Sequence, residues 1–368
     1  MSLSKTTPLY HEHEKAHAKF VDFFEWKMPL HYGSPIAEHL AVRESAGIFD
    51  VSHMTVIDII GAGCRPFLRR LMTRDVDEIK HRGGACYSCM CNELGGIIDD
   101  VLIYYRSPDN YRLVFNASTK DRVTQWLNHH AQDFAIGLQI RPELCLIAIQ
   151  GPEAIERIMP LLTANQMDIL STLKRFNSVE DQAYFFGRTG YTGEDGLEII
   201  LPAPEAIELW QKLISAGFQP CGLAARDNLR LEAGLMLNGQ DMDENITPFQ
   251  AALDWTLSWN AQDREFIGKP ALLQEKEQGS EKKLIGIQLD AQVILRHGQH
   301  LYAHEKLVGE VTSGIFSPLL KQSIGFARIH THAIHEPLTV SIRDKMYPVS
   351  VHSTRFYTPI SKNQPTKS

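Results

Sequence analysis

The hydrophobic period changes along the chain, and the changes mark out its elements. Up to about Gly47 the spacing reads as helical: Ser34 can cap, Pro35 suits a first helical position, and Ala37, Leu40, Ala41 and Val42 follow before Gly47. Alternation then takes over. Short runs rich in β-branched and aromatic residues predict strands over 55–60, 87–91, 97–105 and 111–116, broken by Gly95-Gly96 and Pro108-Asp109-Asn110. Helical patterns at 64–72 and 120–130 lie between them. A strand at 146–149 runs into Gly151-Pro152-Glu153, and strands at 183–186 and 197–201 flank a glycine-rich turn. Beyond the charged segment 274–283 the helical period fades, and short strands continue to about Tyr357. The pattern predicts a mixed α+β body over 1–278 and a small β-barrel or sandwich over 279–368, with a polar, mobile tail from Ser361.

Composition narrows the function. Of the 368 residues, 43% are hydrophobic and 22% charged, ordinary values for a globular chain. No apolar run approaches the roughly 20 residues of a membrane-spanning helix. Thirty-seven basic residues against 44 acidic ones give a net charge of -7, which disfavours a general electrostatic grip on nucleic acid or anionic lipid. An anionic ligand must therefore meet a local basic patch. Six cysteines, with no charged-then-apolar segment at Met1-Ser2-Leu3-Ser4-Lys5, predict reduced thiols in a cytoplasmic protein.

Several segments carry candidate chemistry. His13-Glu14-Lys15-Ala16-His17 fits a zinc-protease pattern, but lies among polar residues without a third ligand, so it is expected to be a solvated helix face and metal-free. Cys86, Cys89 and Cys91 cannot converge on one ion, because strand alternation puts Cys86 opposite the other two. In Gly95-Gly96-Ile97-Ile98-Asp99-Asp100-Val101, two carboxylates interrupt a run that otherwise wants burial. The period of two sends them to opposite faces, so one must be paired, hydrogen-bonded or protonated. Arg188-Thr189-Gly190-Tyr191-Thr192-Gly193-Glu194-Asp195-Gly196-Leu197-Glu198 lets backbone approach a ligand closely and sets Glu198 at the head of a strand, where it could accept two parallel N–H donors. The stretch 223–232 predicts a helix with Arg226 and Arg230 on one face. The acidic loop 239–245 lacks the glycine and terminal glutamate of an EF-hand.

Together these segments say more. Phe49-Asp50-Val51-Ser52-His53-Met54, Gly95-Gly96-Ile97-Ile98-Asp99-Asp100, Gly190-Tyr191-Thr192-Gly193-Glu194, Ala225-Arg226-Asp227, Gly239-Gln240-Asp241-Met242-Asp243-Glu244 and Thr312-Ser313-Gly314-Ile315-Phe316-Ser317-Pro318 closely resemble the T-protein family of the glycine cleavage system, in order and spacing, from Thr7 to about Pro348. The resemblance implies an α+β fold as a three-lobed, cloverleaf-like assembly: two interleaved α+β lobes form the folate-binding body, and a C-terminal β-barrel completes it. It implies tetrahydrofolate as co-substrate in the central hole, the lipoylated H-protein as partner, and no metal, pyridoxal phosphate or nicotinamide. By resemblance Asp100 faces the reactive N5 to N10 side of the folate, Glu198 binds the aminopteridine edge, Tyr87 and Tyr191 wall the cofactor, and Met54, Asn116 and Arg226 make further contacts. An arginine also suits a glutamyl tail. Asn238 and Leu235 depart from residues common in the family, as does the ending Arg355-Phe356-Tyr357-Thr358-Pro359; Arg296 is a weaker candidate for the lipoyl arm. Strand alternation turns Asp99 away from the reacting face and predicts a small cost for its loss. Two further readings stand beside this one. A folate-dependent demethylation domain normally accompanies a flavin domain, absent here; an iron-sulfur assembly factor usually carries Lys-Gly-Cys, which does not occur in this chain.

Overall fold

A computed structural model describes residues 4–260 and 264–359; the expected mobile tail from Ser361 and the opening residues Met1–Leu3 lie outside them. The described residues build two open sheets and one closed barrel, besides a small hairpin. The first sheet runs Ser178–Asp181, Tyr184–Gly187, Gly196–Pro202, Leu144–Gln150, Gly47–Asp50 and Gln219–Pro220. The second runs Ala85–Cys91, Ile97–Ser107, Asn110–Phe115, Thr55–Ile60 and Gly137–Ile140. After Asp50 the chain leaves the first sheet, completes the second, and returns at Leu144, so the two lobes are interleaved in sequence. Strands between Lys282 and His352 close the six-stranded barrel, its first strand, Lys282–Leu289, pairing with its last, Lys345–His352.

Each sheet buries its apolar face under helices. Ile147, Ile149, Leu197 and Ile199 meet Leu209, Trp210 and Leu213 of helix Ala203–Ser215. Ile57, Ile103, Leu113 and Phe115 meet Phe67, Leu68 and Leu71 of helix Cys64–Leu71, and Val123 and Leu127 of helix Lys120–Ala131. Between the lobes Phe49, Val56, Tyr104, Val114 and Phe185 form a separate apolar layer.

Helix Leu223–Glu232 joins all three bodies. The Glu232 carboxylate accepts from His39 (2.8 Å), from Arg43 (3.0 and 2.8 Å), and from the Ser317 hydroxyl of the barrel (2.5 Å). Arg230 donates to Asp227 (2.9 Å), Asp241 (2.6 Å) and barrel Ser313 (2.8 Å). Four apart on one helix, Arg226 and Arg230 thus part company: Arg230 binds the lobes to the barrel. Asp241, from the acidic loop, also receives Thr312 and Ser313 hydroxyls and serves this joint.

Two expectations fail at the N-terminal end. The stretch before Gly47 holds helices Tyr10–Lys15 and Pro35–Glu44, the latter capped by Ser34, but also an antiparallel hairpin, Lys19–Phe23 with Trp26–His31. Its turn uses left-handed backbone at Phe24 (φ 47°) and Glu25 (φ 67°), without the glycine or asparagine that usually marks such turns. Nor is His13 solvated. It is fully buried, its Nε2 2.9 Å from Asp50 Oδ2 and its Nδ1 2.9 Å from the Tyr32 hydroxyl. Burial alone would raise the Asp50 carboxyl; the His13 hydrogen bond and charge, with Ser52 and Thr7, outweigh it and hold Asp50 low. His13→Ala strands this carboxylate, and we expect a loss of about 3 kcal/mol or more in chemical denaturation. An unchanged midpoint would show that His13 only fills space. The loss should shrink as pH falls through the ordinary carboxylate range, because a depressed carboxyl stabilises only while ionised.

Candidate functional site

A cavity of about 920 Å³ opens where the lobes and the barrel meet. Met54, Tyr87, Asp100 and Asn116 line it from one side, Tyr191, Glu198 and Arg226 from the other. All seven residues singled out in the sequence therefore share one wall system, although four come from the second sheet or its edges and three from the first lobe.

Strand register explains the first group. Tyr87 and Asp100 stand on paired strands, where Cys89 faces Asp100 and Tyr87 faces Leu102; the Tyr87 hydroxyl reaches diagonally to donate to Asp100 Oδ2 at 3.0 Å. Asn116 follows strand Asn110–Phe115, whose last residue pairs with Val101. Its side-chain amide donates to both neighbouring carboxylates, to Asp100 Oδ1 at 2.9 Å and to Asp99 Oδ1 at 2.7 Å. Asp99 also takes the Thr119 hydroxyl (2.6 Å) and the Asn116 backbone N–H (3.2 Å). Alternation holds in that Asp100 alone lines the cavity. Yet Asp99 braces the amide that grips Asp100, so we expect its loss to cost more than strand alternation alone predicts. Burial raises Asp100 above the usual carboxylate range, and the Asp99 charge raises it further, against the Tyr87 and Asn116 hydrogen bonds.

On the other side Glu198 stands between small partners in register, Gly187 and Ala148. A side chain at Gly187 would collide with the Tyr104 hydroxyl, 2.6 Å from an added Cβ. That close approach lets Tyr104 donate to Thr189 Oγ1 (2.8 Å), whose own proton goes to Glu198 Oε2 (2.6 Å). Burial raises Glu198 as well, opposed by Thr189 and by the nearby charge of Arg226. Arg226 lies with its guanidinium 4.6 Å from the Tyr191 ring centre, and burial lowers its basicity. Among the described residues neither Glu198 nor Arg226 is in an ion pair. Carboxylate and guanidinium thus line the same cavity within reach of each other's charge, each with capacity to bind a ligand edge.

Sequence reasoning missed three contributors. Trp255 is 55% exposed and stacks on Tyr87 at 5.6 Å and 18°, from a segment with no period to betray it. His53 lines the cavity beside Arg226 at 6% exposure; burial and the Arg226 charge push it down to about 4, so the ring is neutral. Thr189 is the third. Asn238, Leu235 and Arg355, positions of departure, line the same cavity, as does Arg296, the weaker candidate for the lipoyl arm. The cysteines are buried free thiols, and among the described residues no group of side chains is arranged to hold a metal. No helix among them is long and apolar enough to cross a membrane.

Residues 9–261 match the GCVT N-terminal domain family, and residues 282–358 the glycine cleavage T-protein C-terminal barrel domain. The chain belongs to the glycine cleavage T-protein family. It is 51% identical to an aminomethyltransferase of Legionella pneumophila (strain Lens), over 96% of this chain and 98% of that one. Identity is 45% to an aminomethyltransferase of Stenotrophomonas maltophilia, over 95% of each. Its fold matches the crystal structure of the glycine cleavage system aminomethyltransferase T from Bartonella henselae with a TM-score of 0.90 and 35% identity, covering 97% of this chain and 99% of that one. The chain is an aminomethyltransferase of the glycine cleavage system. The demethylation-domain and assembly-factor readings are not favoured.

Proposed function

We propose that the central cavity holds tetrahydrofolate against the aminomethyl-loaded lipoyl arm of the H-protein, and that Asp100 manages charge and protons at the transferred carbon. The observation that carries this reading is the buried Asp100 carboxylate, raised in pKa and aimed into the cavity between Tyr87 and Asn116. In the reaction the carbon–nitrogen bond of the aminomethyl group breaks, N5 and then N10 of the folate bond to that carbon, and its bond to sulfur breaks. Of the two protons leaving N5 and N10, one ends on the lipoyl thiol and one on the departing ammonia. An ionised Asp100 stabilises the cationic carbon between these steps, and a carboxyl raised toward neutrality can also take a proton from N5 and pass it on.

Glu198 suits the adjacent N–H donors of the aminopteridine, and Arg226, close beside it, suits the ring's carbonyl oxygen. This moves Arg226 from the glutamyl tail, where its charge alone suggested it, to the ring. Tyr87, Tyr191 and Trp255 offer flat walls to the fused ring and its benzoyl extension, and Met54 an adaptable apolar contact. Glu198→Gln puts a donor opposite a donor, so tetrahydrofolate affinity should drop at least about tenfold with melting temperature little changed. Equal affinity in a calorimetric titration would remove Glu198 from the contact.

The reaction itself is tested by mixing the enzyme with aminomethylated H-protein and tetrahydrofolate and measuring ammonia and methylene-tetrahydrofolate. Equal turnover without any H-protein or lipoyl substrate would overturn the proposal. We further place the functional division of the chain at 278/279 and the enzyme in the cytoplasm, the latter supported by six buried, unpaired thiols.

A further inference from the structure

We propose that His53 reads the carbonyl group of the pteridine ring, donating a hydrogen bond from Nε2 to the oxygen that Arg226 also meets; the inference rests on the folate reading of the main cavity. His53 has no share in the charge and proton handling assigned to Asp100. Its part is to decide which pteridine the cavity accepts.

The ring is fixed from behind. It belongs to the turn after strand Gly47–Asp50, where Asp50 Oδ1 accepts the Ser52 N–H (2.9 Å) and the Val51 carbonyl accepts the Met54 N–H (3.0 Å). Phe23, from the N-terminal hairpin, meets it edge to face, with ring centres 5.6 Å apart and planes at 87°. A closed turn holds one side and an aromatic ring the other, and the 6% of His53 left open lines the cavity.

What the ring lacks is a partner. Nδ1 is shut away from solvent and bonded to nothing, and among the described residues Nε2 is bonded to nothing either. Buried polar groups are nearly always paired, so an unpartnered one calls for an explanation. Burial, helped by the Arg226 charge and opposed by that of Asp50, keeps the ring neutral, and a neutral imidazole carries a single N–H. On the enclosed Nδ1 that hydrogen would be an orphan donor, which proteins tolerate less well than an orphan acceptor. The proton therefore sits on Nε2 and is free for whatever fills the cavity. An acceptor within reach of both His53 and Arg226 needs two lone pairs, and a carbonyl oxygen has two. An amino group in its place would set donors against donors.

The test is anaerobic calorimetric titration with tetrahydrofolate and with its 4-amino counterpart, in which an amino group replaces that carbonyl. His53→Phe keeps a flat ring but removes the donor and leaves the ligand oxygen half-paired, so tetrahydrofolate should bind about tenfold more weakly. The 4-amino compound has no such oxygen and should bind the parent and His53→Phe alike. His53→Gln carries an N–H₂ at a similar reach to Nε2 and should recover most of the tetrahydrofolate affinity. Equal tetrahydrofolate affinity in His53→Phe and the parent overturns the proposal while sparing the folate reading. An equal loss for both ligands, or a loss in His53→Gln as large as in His53→Phe, makes the ring a mere wall and likewise overturns it. Failure of the unaltered enzyme to bind tetrahydrofolate overturns both.

Discussion

Asp100→Asn should lower turnover with aminomethylated H-protein by roughly a hundredfold or more while tetrahydrofolate still binds. The substitution keeps the volume and can still receive the Asn116 amide, but it removes the negative charge and the basicity at the transferred carbon. The same change should stabilise the fold at neutral and alkaline pH. Burial first, and the Asp99 charge second, raise the Asp100 carboxyl, so the folded chain keeps a proton that the unfolded chain has already released. Stability therefore falls as pH rises from the ordinary carboxylate range through the raised one, and above it the ionised Asp100 is a standing penalty. Asparagine carries no such penalty, so the variant should melt higher than the parent at pH 8, with the gap narrowing toward pH 5. A variant that is less active yet melts lower at every pH would mean that the carboxylate is a structural brace. Asp99→Asn should impair turnover too, because Asp99 fixes Asn116 through two hydrogen bonds and is itself held by a third from Thr119. Equal activity of Asp99→Asn and the parent would separate the two carboxylates after all.

Glu232→Gln is expected to give the largest loss of stability, about 3 to 5 kcal/mol in urea unfolding, as when one partner of a buried charge network is removed. Four hydrogen bonds converge on this carboxylate, three from His39 and Arg43 of one helix and one from Ser317 of the barrel. Burial alone would raise it, but His39 and Arg43 outweigh burial and hold it below its usual range. Glutamine can accept one or two of those bonds and must aim an N–H₂ at the rest. Arg43 retains Glu194 (2.7 Å) and the face of Tyr357 (4.1 Å), which keeps the loss from being greater. Because the contribution exists only while Glu232 is ionised, the difference between variant and parent should shrink as pH falls below the ordinary carboxylate range. A loss under about 1 kcal/mol, the scale of an exposed pair, would show that the barrel docks by apolar contact instead.

Much of this was legible where local chemistry agrees with the fold. Strand Thr55–Ile60 and helix Leu223–Glu232 begin and end where their periods and neighbours indicate, and the alternation at Asp99-Asp100 separates the two faces, while only the resemblance indicates that Asp100 is the one toward the cavity. The failures share a physical cause, which is that the deciding partner is distant in sequence. His13 reads as solvated until Asp50 and Tyr32 fold over it. The hairpin at Lys19–His31 is hidden by a turn that uses Phe24-Glu25 in glycine-like backbone. Asn116 is indicated by the resemblance alone, and nothing in its own stretch of sequence shows it as the amide shared by two carboxylates. Trp255 belongs to no periodic element, and only its stacking on Tyr87 gives it a place.

The interleaving of the lobes also bears on how the chain is born. Strands of the second sheet lie between Thr55 and Ile140 without interruption, so that sheet can close while synthesis continues. Strand Gly47–Asp50 emerges earlier, but its partners are Leu144–Gln150 on one edge and Gln219–Pro220 on the other. Its apolar residues Ile48 and Phe49 must wait, unpaired, while an entire sheet is made and folded behind them. Pairings this distant are slow to form and leave sticky edges open meanwhile. The order of completion thus inverts the order of emergence, and the nascent protein depends on whatever shields that first strand until Pro220 is out.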